Sequence, residues 1–429
     1  MTDPRVSPEE ALSHVTDGAR VYIQGGAATP TPLVQALAER ARTLRGVTTI
    51  SLHLEGPAPH VDPELEGHLR HVALFIGSNV RGAVREGRAD FMPVFLSDVP
   101  ALFRDGTLPV DVALVQVSPP DRHGFCSLGV SVDVARPASE VAHHVIALMN
   151  PRMPRTLGDS FLHVSRFDSI VDFVGPLHEA AEPPETEASR AIGEIVAGLI
   201  DDGATIQLGI GAIAASVLRA LRSHRDLGIH TEMFSDGVVD LVERGVITGA
   251  RKRLHKDRIV TSFVTGTRRL YDFVDDNPMV EMHPSHYTND PQVIAAHGEM
   301  TAVNSAIEVD LTGQVCADSI GSQFYSGIGG QLDFVRGAAR AAHGRPIIAL
   351  PATAAHGTRS RIVSRLAVGA GVVTTRGDVH YVVTEYGVAE LHGRTVRDRA
   401  QNLLRVAAPQ FREQLMREAF EVYGLQLVE

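Results

Sequence analysis

Glu232 stands in His230-Thr-Glu-Met-Phe-Ser-Asp-Gly237, and Ile229 to Phe234 has the character of a short parallel strand. A carboxylate in such a place loses solvation unless it is paired or does chemistry. It reads either as a salt-bridged or helix-capping glutamate or as a reacting group. The residues ahead of it narrow the setting. Asp202-Gly-Ala-Thr-Ile-Gln-Leu-Gly-Ile-Gly211 reads as a strand ending in glycines, and Ala212 to Leu221 carries apolar residues at helical spacing. Strand, glycine turn, helix and strand make a parallel unit whose ligands gather beyond the carboxyl ends of the strands. Glu232 falls near such an end.

Ser326-Gly-Ile-Gly-Gly-Gln-Leu-Asp-Phe334 is the strongest glycine segment. Gly327, Gly329 and Gly330 permit positive φ and uncovered amides, which suits a tight structural turn or a cradle for an oxyanion or phosphate. Gly209-Ile-Gly-Ala-Ile213 would aim helix N-terminal amides at an anion. It lacks the third glycine of a dinucleotide fingerprint and the Gly-Lys-Ser/Thr of a P-loop. In Val117-Ser-Pro-Pro-Asp-Arg-His-Gly-Phe-Cys-Ser-Leu-Gly129, Asp121 and His123 read as turn caps, or else as acid–base groups or metal ligands. Cys126 reads as a buried small residue. Glu281-Met-His-Pro284 and the scattered histidines lack metal-ligand spacing, so no metal is expected. A Gly-x-Ser-x-Gly elbow is absent, which weakens a serine-hydrolase reading.

These residues need a scaffold, and 429 residues suffice for two or three domains. A net charge of −11 without a dense Lys/Arg patch argues against a nucleic-acid partner. Two cysteines give no disulfide framework, and no apolar run approaches membrane-spanning length. The first residues lack the order of a signal peptide, so a cytoplasmic location is expected. A weak repeat organises the rest. Asp17-Gly-Ala-Arg-Val-Tyr-Ile-Gln-Gly-Gly26 resembles Asp202–Gly211, and each copy leads through a helical pattern (Pro32–Arg42, Ala212–Leu221) to an apolar strand (Thr48–Leu54, Ile229–Phe234). Two such openings imply an α/β chain of two similar open-sheet lobes. Gly175 to Glu187, rich in proline and acid, reads as the boundary, giving domains 1–185 and 186–429. Further strands are expected at 72–76, 91–95, 112–117, 141–149, 258–263, 300–306, 346–351 and 379–384, and a helix over 409–423.

Val117–Gly129, Gln207–Ala212, His230–Gly237, Thr265–Phe273, Asn304–Val315, Gly327–Gly337 and His380–Val388 together resemble the acetyl-CoA hydrolase/transferase family. The likeness is to its 4-hydroxybutyrate and butyryl-CoA:acetate CoA-transferase branch, among the class I CoA-transferases. It runs in order along almost the entire chain. The resemblance implies two lobes of the NagB/RpiA-like CoA-transferase fold with the active site between them. It implies Glu232 as the covalent carboxylate, Gly329, Gly330 and Gln331 at the reacting carbonyl and CoA, and Gly209, Ile210, Gly211, Ala212 and Ile213 as a CoA-contacting loop. Gln24, Gly25, Gly26, Asn79 and Arg81 would shape the acyl pocket.

The implied activity moves CoA between a short-chain acyl-CoA and a carboxylate such as acetate, ping-pong through a glutamyl-CoA thioester. The alternative on the same scaffold is acyl-CoA hydrolysis, with water resolving the thioester. No cofactor is held permanently; CoA enters as substrate. The family expectation for assembly is a homodimer or a dimer of dimers. One segment departs from the family pattern. Pro351–Arg361 offers His356, Arg359 and Arg361 where a lysine is expected, and Ser364 stands in place of a proline.

Overall fold

A computed structural model describes residues 4–428. Its contacts divide the chain into two units: the first runs to Ala181 and resumes over Val260–Thr288, and the second takes Glu182–Ile259 and Asn289 onward. The chain therefore passes between units three times, first inside the proline- and glutamate-rich stretch. A single boundary at 185/186 would leave 260–288 with the second unit, whereas its contacts are with the first.

The first unit is built on seven parallel strands: β1 (Arg20–Ile23), β2 (Val47–Ser51), β3 (Leu69–Ala73), β4 (Ala89–Phe91), β5 (Val112–Val117), β6 (His144–Met149) and β7 (Ser169–Asp172). Their order is β7-β6-β5-β1-β2-β3-β4. The chain leaves β1 in one direction through β4, then restarts on β1's other side with β5. That reversal marks a ligand-binding edge at the carboxyl ends. Helix α1 (Thr31–Ala41) lays Leu33, Val34, Leu37, Ala38 and Ala41 on the sheet. Every residue of β5 is buried, which is why it reads as an unbroken apolar run.

The second unit repeats the opening. Strand β8 (Thr205–Leu208), helix α3 (Ala212–Ala220) and strand β9 (Gly228–Ile229) form the parallel unit. They follow helix α2 (Glu187–Ala197), whose Thr186 and Ser189 cap one another reciprocally. Strands β10 (Met300–Ser305), β11 (Arg345–Ala349), β12 (Tyr381–Thr384) and β13 (Gly387–Glu390) complete a sheet of order β9-β8-β10-β11-β12-β13. All neighbours are parallel except the closing β12–β13 hairpin. Helices α4 (Asp236–Glu243), α5 (Gln331–Arg340), α6 (Val396–Val406) and α7 (Pro409–Tyr423) belong to this unit. One of its cores gathers Val309, Ile348, Val382, Leu403 and Leu404 with α7's Leu415 and Ala419.

Several strand positions differ from the periodicity: the strand expected over 91–95 is β4, which ends at Phe91, and 258–263 divides into Ile259–Thr261 and Phe263–Val264. The third strand runs Leu69–Ala73, not 72–76, because its first residues pair in parallel with Val47–Thr49 of β2, while the exposed Arg70 side chain meets Asp90 of β4. Ile229–Phe234 is not one strand. β9 stops at Ile229, the chain bends at Glu232, and Met233–Phe234 is a separate short strand. The Thr231 hydroxyl lies 3.2 Å from the Leu208 carbonyl and 2.9 Å from that of Met233, holding the bend where a ladder would continue. Among the described residues no helix is long and apolar enough to cross a membrane.

Candidate active site

The carboxyl edge of the second sheet brings together what the sequence separates. The chain runs from β8 to β9 on one side and restarts at β10 on the other, so the reversal falls between β8 and β10. The Gly209–Gly211 turn follows β8, Glu232 follows β9, and Gln331 reaches the end of β10 by donating from Nε2 to the Ser305 carbonyl at 2.7 Å.

Glu232 is half-buried, and its Oε2 accepts a 2.8 Å hydrogen bond from Nδ2 of the fully buried Asn289. Gly330 closes the other side. A Cβ at this position would fall within 3.0 Å of both Glu232 Oε2 and Asn289 Nδ2. Gly330 is also the N-cap of α5 and supplies no capping side chain, so a carboxylate lies against an uncapped helix start. Of the three glycines expected to use positive φ, only Gly329 does, at 58°. Gly330 sits at −99°; it is glycine for room, because any side chain would occupy the place of the carboxylate. Two buried acceptors, Asn289 Oδ1 and Gln331 Oε1, have no protein donor among the described residues. The edge is polar inside and open to further hydrogen bonding.

Gly211 caps α3 at φ 110°, a conformation that requires glycine, and again the cap residue has no side chain to bond the first amides. A Cβ on Gly209 or Gly211 would meet nothing within 4 Å, and Ile210 between them is 62% exposed. Ala212 and Ile213 open the helix, half-buried. This turn has the open shape of an anion cradle with an apolar lip.

The remaining candidates lie in the first unit, at its own carboxyl edge. Gln24 is fully buried: Nε2 donates to the Leu128 and Ser131 carbonyls at 3.1 and 2.7 Å, and Oε1 accepts from the Gln116 amide at 2.6 Å. With those atoms engaged, Gln24 ties β1 to β5. Gly25 lets the chain pass the His53 carbonyl, which a Cβ would strike, and Gly26 has φ 58°. Asn79 binds the Leu54 and Gly56 carbonyls at 3.0 and 2.9 Å, and Arg81 starts a short helix beside it.

Asp121 accepts the His123 and Phe125 amides at 2.8 and 3.0 Å and meets Arg155 at 3.2 Å, so it is a turn cap. Those amides hold its carboxyl below the usual range. Burial, with Asp121 nearby, pushes the Cys126 thiol up to about 12, which removes it as a nucleophile at neutral pH. In the segment that departs from the family pattern, Ala355, His356 and Gly357 all take positive φ at the tip of an exposed hairpin. Arg361 beyond it binds the Ala306 carbonyl at 3.1 Å, and burial lowers its guanidinium pKa.

Asn289 carries no signal in the sequence pattern. It precedes Asp290, the N-cap of Pro291–Ala296, so Thr-Asn-Asp-Pro reads as turn punctuation. The signal that distinguishes it is complete burial, which only the fold supplies.

Residues 4–174 match the acetyl-CoA hydrolase/transferase N-terminal domain, and residues 266–419 match the C-terminal domain of that family. The chain is 49% identical to the 4-hydroxybutyrate coenzyme A transferase of Clostridium kluyveri, over 96% of each protein. It is equally identical, 49%, to the succinyl-CoA:acetate/propanoyl-CoA:succinate CoA transferase of Fasciola hepatica, over 96% of this chain and 87% of that one. The solved 4-hydroxybutyrate CoA-transferase of Porphyromonas gingivalis superposes with a TM-score of 0.85 at 39% identity, covering 98% of both chains. Fold, edge chemistry and kinship agree that the chain belongs to the acetyl-CoA hydrolase/transferase family, within its CoA-transferase branch.

Proposed function

We propose that this CoA-transferase exchanges CoA between a short-chain acyl-CoA and a carboxylic acid such as acetate, through a thioester on Glu232. The observation that carries this reading is the Glu232 carboxylate, held at one oxygen by Asn289 and at close range by Gly330.

The carboxylate attacks the acyl thioester carbonyl and expels CoA thiolate, leaving an acyl-glutamyl anhydride. The thiolate attacks the glutamyl carbonyl and expels the first acid as its carboxylate, leaving the glutamyl-CoA thioester. An incoming carboxylate attacks that thioester, regenerating an anhydride and thiolate. The thiolate then takes the new acyl group and frees Glu232. One activated acyl bond persists throughout, so no ATP is consumed. When thiolate attacks the glutamyl carbonyl, negative charge develops on an oxygen of Glu232. Asn289 Nδ2, already at 2.8 Å from Oε2, is a donor fixed before the charge appears. The Gly209–Ile213 turn offers uncapped amides and the Ile210 side chain to the CoA moiety. Gly25, Gly26, Asn79 and Arg81 are proposed for the acyl group. Gln24 supports them through β1. We place the protein in the cytoplasm as a homodimer or dimer of dimers, with CoA as substrate and not as a resident cofactor.

The deciding experiment is intact-protein mass after incubation with butyryl-CoA, followed by borohydride trapping and peptide mapping. A CoA adduct on Glu232 that disappears on adding acetate, with new acetyl-CoA formed, is the expected result. An adduct that decays equally fast in water alone would make the enzyme a hydrolase. No adduct with any short acyl-CoA would overturn the mechanism.

A further inference from the structure

We propose that Lys252 is a positioning residue for Glu232, fixing the strand end from which the carboxylate projects; this rests on Glu232 being the reacting group. Lys252 is 4% exposed, an uncommon burial for a lysine. Its Nζ donates to the Ile229 carbonyl at 2.7 Å and to the Arg258 carbonyl at 2.7 Å. Ile229 is the last residue of β9, three positions before Glu232. The aliphatic stem runs against β9: a Cβ on Gly228 would fall within 3.0 Å of Lys252 Cγ. Gly228 is therefore glycine so that the lysine can pass.

The strand it braces is short and ends at a bend. β9 has two residues; beyond it the His230 amide reaches the Ile206 carbonyl at 3.2 Å and the Thr231 hydroxyl holds the bend. Proposed turnover loads Glu232 first with an acyl group and then with CoA, both far larger than a carboxylate. A short strand ending in a bend would shift under those loads. The ammonium bridges the carbonyl at its end to a second segment, and its charge strengthens both hydrogen bonds. A hydrocarbon of the same length would fill the space but leave two carbonyls without their donor.

The test compares the wild type with Lys252→Met, which keeps the stem and removes the donors, and with Lys252→Arg, which keeps the charge. For Lys252→Met the expected result is kcat lowered about 10- to 100-fold, the scale of a misplaced reacting group, with KM for acyl-CoA within about threefold. Lys252→Arg should recover part of that loss. If Lys252→Met is insoluble, Lys252→Gln, which keeps one amide donor, takes its place with the same expectation. Wild-type kcat in the folded Met or Gln variant would overturn the proposal, as would a loss confined to KM or to thermal stability. The wild-type Glu232–CoA adduct is the control. Its absence overturns the thioester reading, whereas its presence beside an undiminished variant overturns only the role of Lys252.

Discussion

A methyl group at position 330 would occupy the space that Glu232 Oε2 and Asn289 Nδ2 now share. The carboxylate is the end of a flexible side chain and can yield, so Gly330→Ala should fold with little loss of stability. Its kcat should fall about 100-fold, because the nucleophile is displaced. Turnover at the wild-type level would remove Gly330 from the reacting centre. Asn289→Ala deletes a donor from the oxygen that becomes an oxyanion, and a 100- to 1,000-fold drop in kcat is expected, roughly what a single oxyanion donor contributes. Glu232→Gln should abolish transfer and adduct formation while leaving CoA binding, followed by calorimetry, largely intact. Residual transferase activity in that variant would sink the covalent route. These three residues differ in how legible they are. Glu232 stands out because a carboxylate at a strand end needs a reason. Gly330 is visible within a glycine cluster, although the backbone freedom expected of it is used only by Gly329. Asn289 is hidden, since a turn asparagine and a buried donor have the same local sequence.

Among the elements, the two glycine turns do related work by different means. At Gly211 the requirement is the backbone angle, and Gly211→Ala must either strain φ or tilt the first turn of α3. The expected consequence is a raised KM for acyl-CoA with a smaller change in kcat, opposite to Gly330→Ala; a kcat-only effect would place the turn at the chemistry and not at CoA. The elements that periodicity marks most clearly are those buried on one or both faces: β5, α1 and α7 all fall where the apolar spacing puts them. Periodicity fails where something other than apolar side chains sets the backbone. Pairing with β2 carries β3 through the polar Arg70 and His71, and Thr231 breaks what reads as a continuous strand at Glu232. That break is itself useful, because a residue inside a ladder could not turn its carboxylate out past the edge of the sheet.

At the scale of the whole molecule, buried neutral histidines set the response to acid. His60 and His297, 1% and 3% exposed, have imidazole pKa values lowered to about 4 and about 3, burial being the main cause in each. An unfolded histidine takes its proton near pH 6.5, so below that the unfolded chain binds protons the native state refuses. Stability is therefore complete above about pH 6.5 and is lost as pH falls from there toward 4 and 3. At pH 5 each contributes a loss of at most about 2 kcal/mol. Urea midpoints at pH 7.5, 6 and 5 should fall progressively, and a flat profile to pH 5 would show these histidines protonate without unfolding. The path of the chain carries a different consequence, one of time. Residues 260–288 complete the first unit only after 182–259 have already been made. On the ribosome the first sheet must wait, its strands all synthesised but an enclosing segment still to come, while part of the second unit emerges beside it. A nascent chain stalled before residue 260 should expose apolar surface of the first unit to chaperones, and release from them should follow the emergence of residue 288, not of residue 185.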